Sequence, residues 1–319
     1  MRAGGLEYAL VWALALLAHL LPQEAWADVP EKIEALQAQA LELVNQDRQE
    51  EGLAPLELGE DIVEAAQAHA SDMLARGYYA HESPEGDTVQ DRFLDAGGSQ
   101  WELVAENIAR CKGCEPPATE ATVTRLHEDW MNSPPHRENI LAPGLSAFGF
   151  GLAVDGNGYY AVQTFAGPGI PRNLQPGEEA VPLTTEEQLA RAVQGLNRAR
   201  ERTGTPPVEP SEVLSTVARN LLPPESQEEF ALTAPDDLFE VLPEGERMEW
   251  LSLAVVAGAC GGCGTEPMAA DIRDFRTQWL DDPGYRATLL NPEATHAGFA
   301  LQANEEGRKV AVLVTGQQR

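Results

Sequence analysis

The amino-acid sequence predicts an α+β protein built from two tandem units of the same kind. Three observations carry that prediction. Apolar residues recur at helical spacing in several segments, as at Val123, Leu126 and Trp130, which puts them on one face of a helix. Residues 147–154 and 159–165 read as strands on either side of Asp155-Gly156-Asn157-Gly158, the turn chemistry of a β-hairpin. The later part of the chain then repeats the earlier: Asn45, Arg48, Gly52, Pro55 and Glu57 recur 152 residues on as Asn197, Arg200, Gly204, Pro207 and Glu209.

A chain of 319 residues has room for about two domains of ordinary size, each with its own core. At the N-terminal end, Tyr8 to Leu21 form an apolar run of fourteen residues, short of the roughly 20 that span a membrane. Ala25-Trp26-Ala27 follows with the small-x-small pattern of a cleavage site. We read residues 1–27 as a signal peptide. Because Glu7 offsets Arg2 in a weakly basic leader, an uncleaved anchor is the alternative. The signal-peptide reading implies a secreted or periplasmic protein with no stable membrane insertion. The net charge is −29, a field that repels nucleic acid and favours cations, although acidity also simply keeps an exported protein soluble.

Taken in order, Ile33, Leu36, Ala40, Leu43 and Val44 mark a first helix that stops near Gly52. A second, with Ile62, Val63, Ala66, Ala70 and Met73 inward, runs to Gly77, a residue suited to a left-handed helix end. Tyr78-Tyr79-Ala80-His81-Glu82-Ser83-Pro84 is aromatic and turn-rich, so it runs over a surface or lines a cleft. Val104 to Ala109 then precede the first cysteine pair. The helix of Val123, Leu126 and Trp130 leads into a Ser-Pro-Pro turn that delivers His136. Residues 169–183 hold three prolines and no apolar periodicity and read as a linker. Thr184 with Glu187 makes a capping box for the next helix. We therefore divide the chain into residues 28–168, the linker 169–183, and a second unit at 184–316. This second unit ends in a hairpin of residues 297–303 and 309–314.

The repeat separates two kinds of residue. At an offset of 149, Cys111 and Cys114 fall on Cys260 and Cys263, Trp130 on Trp279, Arg137 on Arg286, Leu141 on Leu290 and Gly149 on Gly298. These shared residues are expected to be architectural. Three polar residues occur only in the first unit: Glu106 meets Val255, His136 meets Tyr285, and His81 faces residues 230–233, which contain no histidine. Their joint loss points to a single site that the second unit lacks.

Asn45 to Arg48, the segment 78–84, Glu106-Asn107-Ile108, the stretch 130–141 and the hairpin from Gly149-Phe150-Gly151 to Val162-Gln163 together resemble the CAP superfamily of cysteine-rich secretory, antigen 5 and pathogenesis-related proteins, in its secreted bacterial form. The resemblance covers residues 28–168, with 184–316 as a degenerate copy. It implies an α-β-α sandwich, a small antiparallel sheet between helices with a cleft on one side. It also implies a cleft set of two histidines and two glutamates, the histidines able to bind a divalent metal. Carried over residue by residue, that set becomes His81, Glu106 and His136, with Ser133 in place of the second glutamate. Glu128 lies five residues from Ser133 and about 500° around the helix, so it is no simple substitute.

Two imidazoles and a carboxylate form a plausible shell for zinc or another divalent cation, with water in an open position. Glu106 would either orient a histidine or act as a base. His69 and His127 read as helix-surface or core residues. For Cys111, Cys114, Cys260 and Cys263 three arrangements stay open: a disulfide within each pair, disulfides across the pairs, or one four-thiolate zinc site. The functional expectation is an exported binding module for a small-molecule, lipid or extracellular protein ligand. A metal-dependent hydrolase of peptides or envelope polymers is one alternative, and a structural or adhesive protein is another.

Overall fold

The computed structural model describes residues 33–319 except 115, 176, 179 and 225–234. The expected signal peptide and the segment 230–233 opposite His81 lie outside the described residues. In chain order the first half contains α1 (Ile33–Glu50), β1 (Glu57–Leu58), α2 (Glu60–Arg76), α3 (Val89–Asp95), β2 (Leu103–Lys112), α4 (Glu120–Met131), α5 (Pro134–Ile140), β3 (Ala147–Asp155) and β4 (Gly158–Gly167). The second half contains α6 (Thr185–Arg202), β5 (Glu209–Pro210), α7 (Glu212–Leu221), β6 (Trp250–Cys260), α8 (Ala269–Asp281), α9 (Pro283–Leu289), β7 (His296–Ala303) and β8 (Lys309–Gln318).

Each half holds a four-stranded sheet, ordered β1-β3-β4-β2 in the first and β5-β7-β8-β6 in the second. The sheets are mixed: the two-residue strands β1 and β5 run parallel to β3 and β7, and the remaining pairs are antiparallel. Helices cover both faces, giving the α-β-α sandwich. Leu36, Ala40 and Val44 of α1 and Val123, Leu126 and Trp130 of α4 pack on Phe148, Phe150 and Phe165 on one face. On the other, Ala66, Ala70 and Met73 of α2 pack on Ile108, Tyr160 and Val162. The helix α2 can lie this close to the sheet because β3 offers no side chain at Gly149, where a Cβ would stand 2.2 Å from the Ile62 carbonyl oxygen. Gly298 plays the same part under α7, a Cβ there meeting the Leu214 carbonyl carbon at 2.1 Å.

Other shared residues are also frame. Asn45 pairs with the backbone of Leu56 through both ends of its amide, and Asn197 does so with Val208. The buried Arg48 guanidinium donates to the carbonyls of Ala54, Ile140 and Ala142. Arg200 likewise donates to Pro206, Leu289, Asn291 and Ala294. Both arginines thereby pin the loop before the third strand to the first helix. Arg137 and Arg286, expected to be a matched pair, differ: Arg137 bridges to exposed Glu51 at 2.9 Å, whereas Arg286 donates to the Leu280 carbonyl.

One local reading changes. The Ser-Pro-Pro segment is the start of a helix, with Ser133 at its N-cap and prolines in its first turn, where a missing N–H costs nothing. The expected linker packs on the second half: Arg172 donates to the Gly261 carbonyl, Asn173 to Asp274, and Glu178 is bridged by Arg273 at 2.6 Å. The cysteines are joined within pairs, Cys111 to Cys114 and Cys260 to Cys263.

Candidate functional site

The candidate site is built around the edge strand β2. Side chains alternate across a strand, so Glu106 faces α2 and α3 while Asn107 faces α5. Antiparallel pairing sets Glu106 beside Thr164 and Asn107 beside Gln163. An edge strand leaves a row of unpaired carbonyls, and here side chains take them. The Glu106 carbonyl accepts from Asn139 at 3.1 Å, and that of Ile108 from Tyr79 Oη at 3.1 Å and Trp130 Nε1 at 3.2 Å.

Glu106 is the centre of the cluster. Its side chain is buried, and a buried carboxylate needs charged or hydrogen-bonding partners. His81 Nδ1 lies 2.8 Å from Oε1, and Arg92 Nη2 lies 2.7 Å from Oε2. A third group, His69 Nε2 of α2, stands 3.9 Å from Oε1 and donates to the Ala80 carbonyl at 3.0 Å. Arg92 also donates to the carbonyls of His81 and Asp87, each at 3.0 Å. The turn-rich segment 78–88 is thus held at its start by His69, in its middle by Glu106 and at its end by Arg92.

The three imidazoles sit in different environments. The His81 ring is 57% exposed, and the Glu106 carboxylate raises its pKa above the ordinary histidine value. Burial lowers that of His69. His136, half-buried in the first turn of α5, is lowered by burial and then by the charge on His81, so its neutral form is favoured. Its carbonyl accepts from Asn107 Nδ2 at 3.1 Å, and Asn139 donates to Asn107 Oδ1 at 2.9 Å, lashing α5 to β2.

The sequence-derived set is partly assembled. His81 and Glu106 touch, and His136, whose carbonyl is bonded to Asn107 of β2, lies within electrostatic reach of His81. Ser133 stands at the α5 N-cap without a side-chain capping bond, and Glu128 is exposed on α4. Glu106 is engaged by Arg92 and His81 Nδ1, so its place is behind the histidine rather than beside it. Arg92 and His69 were missed. No local signal marks Arg92. For His69 a signal existed, because at the offset of 152 it falls on Leu221. The other histidine read as bland, His127, is a buried partner of Asp47 at 2.6 Å on the opposite face. Among the described residues no group of three or more His, Cys, Asp or Glu side chains has metal-holding geometry.

This sandwich, with its histidine and glutamate cluster on the edge strand β2, defines a class. Residues 41–165 match the family model for the cysteine-rich secretory protein family, CAP, and this part of the chain is a CAP domain. Two similar proteins come from Bacillus subtilis (strain 168). The uncharacterized protein YkwD is 34% identical over 128 residues, covering 40% of this chain and 46% of that protein. The uncharacterized membrane protein YlbC is 32% identical over 114 residues, covering 36% of this chain and 30% of that protein. The chain thus spans less than half the length of either relative. Among solved structures, an extracellular protein containing an SCP domain from Bacillus anthracis str. Ames is similar at 28% identity, with 41% of this chain and 40% of that one covered and a TM-score of 0.35.

Proposed function

We propose that the protein is an exported binding module whose cleft, formed by His81, Glu106 and His136, holds a divalent cation such as zinc and a ligand that completes its coordination. The observation that carries this reading is the placement of Glu106. It fixes His81 through Nδ1 and leaves Nε2 on an exposed ring, the arrangement in which a carboxylate orients a metal-binding imidazole. The lowered pKa of His136 favours the neutral form that ligation requires. Two imidazoles are fewer than the three protein ligands usual at catalytic zinc, so the reading is of a weak, open site rather than a closed structural one. The remaining positions fall to water or to the ligand, whether a small molecule, a lipid or an extracellular protein. The matched family and the apolar leader support the exported location, and among the described residues no helix is long and apolar enough to cross a membrane. On this reading residues 184–316 are a degenerate copy that kept the frame, a view supported by the matching strand orders.

Calorimetry with zinc tests the site. Wild type is expected to bind about one equivalent, and Glu106→Gln to bind about 10 to 100-fold more weakly because the imidazole loses its orienting carboxylate. Equal affinity in wild type and in the His81→Ala, His136→Ala double variant rules the assignment out.

A further inference from the structure

Among the described residues, the second half meets the first at the start of β2, the strand that carries Glu106. The Cys260-Gly261-Gly262-Cys263 turn lies on the start of β2: the Gly262 amide donates to the Trp101 carbonyl at 2.6 Å. Cys263 bridges to Gly169, and the Gly264 amide donates to the Pro168 carbonyl at 2.7 Å. The loop between β7 and β8 adds two contacts. Glu306 accepts from Ser99 Oγ at 2.8 Å, and the Arg308 guanidinium stacks 4.9 Å over the Trp101 ring.

The residues gripped in this way, 99–103, join α3 to β2, the two elements that supply Arg92 and Glu106. The loop is coupled to α3 in turn. The Gly98 amide donates to the Phe93 carbonyl at 2.9 Å, Gly98 lies against the buried Phe93 ring, and Gln90 donates to the Ser99 carbonyl at 3.4 Å.

A comparison of the two cysteine turns shows that this joint is shaped rather than incidental. In the first half the turn reads Cys111-Lys112-Gly113-Cys114, is largely exposed, and its Gly113 amide bonds Asn157 within the same half. In the second half Gly261 stands where the first has Lys112, and a Cβ there would lie 2.9 Å from the Trp101 carbonyl oxygen. The turn tolerates lysine as a turn; what excludes a side chain from Gly261 is the neighbouring half.

We propose that the second half is an intramolecular brace for the cleft: its cysteine turn and its 304–308 loop clamp residues 99–103 and thereby hold Arg92 and Glu106 in register. The brace does not depend on what the cleft binds, and its test is read without a ligand. Hydrogen–deuterium exchange of the full chain compares wild type with Gly261→Lys, which carries the residue the first half uses at that turn position, and with Arg308→Ala, which removes the stacking on Trp101. In both variants the amides of residues 99–106 are expected to exchange at least about ten-fold faster, while those of α1, β3 and β4 stay within about two-fold of wild type. The proposal is overturned if 99–106 keep wild-type protection while the 258–264 turn opens. It is equally overturned if the rise is uniform over α1, β3 and β4, since that is general loosening of the first half. Should Gly261→Lys unfold β6 to β8, unchanged protection at 99–106 again overturns the brace, and Arg308→Ala reads the same joint in a folded chain.

Discussion

The two halves solve one packing problem with different interiors. Both use an asparagine and a buried arginine to tie the first helix to the loops, and both bring a helix onto a glycine of the central hairpin. They part company where β2 and β6 meet β4 and β8. In the first half that seam pairs Glu106 with Thr164 and Asn107 with Gln163; in the second, the corresponding pairs are Val255 with Val314 and Val256 with Leu313. His69 becomes Leu221 in the same layer. The sandwich therefore does not need a polar seam. Burying one without full hydrogen bonding costs free energy, and Gln163 Nε2 and Thr164 Oγ1 are buried with no hydrogen-bond partner. Such a cost is explained by what the seam does, which is to hold His81 and His136 at the edge. The second half spends its polar burial elsewhere, on Lys309 of β8 and Asp271 of α8, 2.6 Å apart inside the core.

The largest expected effect breaks that second-half pair. Burial pushes the Asp271 carboxyl up and the Lys309 amine down, so each charge is tolerated only because of the other. Lys309→Met should cost about 3 to 5 kcal/mol, because it strands a buried carboxylate. Adding Asp271→Asn, which keeps an acceptor for the Met268 amide now bonded at 2.7 Å, should recover most of the loss. Guanidinium unfolding, followed by exchange of the β6 and β8 amides, measures both. If the single variant is as stable as wild type, the two interiors do not differ in the way described.

A smaller effect sharpens the contrast at the seam itself. Thr164→Val gives the first half the residue that the second has at Val314. It removes a buried hydroxyl without a partner and leaves the Asn107 amide bonded to the His136 carbonyl, to Gln163 Oε1 and to Asn139. Stability should rise by about 1 kcal/mol in equilibrium unfolding. A loss of comparable size would show that the polar seam supports the fold as well as the site.

The frame was legible in the sequence because its signals are local or periodic. Helix faces, the Thr184 capping box and the two hairpins are set by neighbours a few residues apart. The repeat then marked Glu106, His81 and His136 by their absence from the second unit. What stayed hidden depends on tertiary approach. Arg92 meets Glu106 only because α3 folds back over β2, and nothing in the spacing of 14 residues between them encodes that. The prolines before His136 were read as a turn, although proline in a first turn is equally a start signal. The glycines of the second cysteine turn looked like ordinary turn residues until the neighbouring half supplied the reason for them.

The smallest expected effect separates the halves by their pH response. His81 has its folded pKa raised by Glu106. Its contribution to stability is therefore fully present below the unfolded imidazole value of about 6.5 and is lost as pH rises through the elevated folded value. His69 and His136 have lowered values and act in the opposite sense: their contributions are present above about pH 6.5 and are lost as pH falls through the lowered values. The stability difference between wild type and His81→Gln should thus be largest in mild acid and should shrink toward alkaline pH. Amide exchange in β2 would register that difference, and β6, whose seam is aliphatic, should not respond. A difference that grows with pH would mean that Glu106 is not the group holding the His81 ring, and the polar seam would lose the link to the cleft that explains its cost.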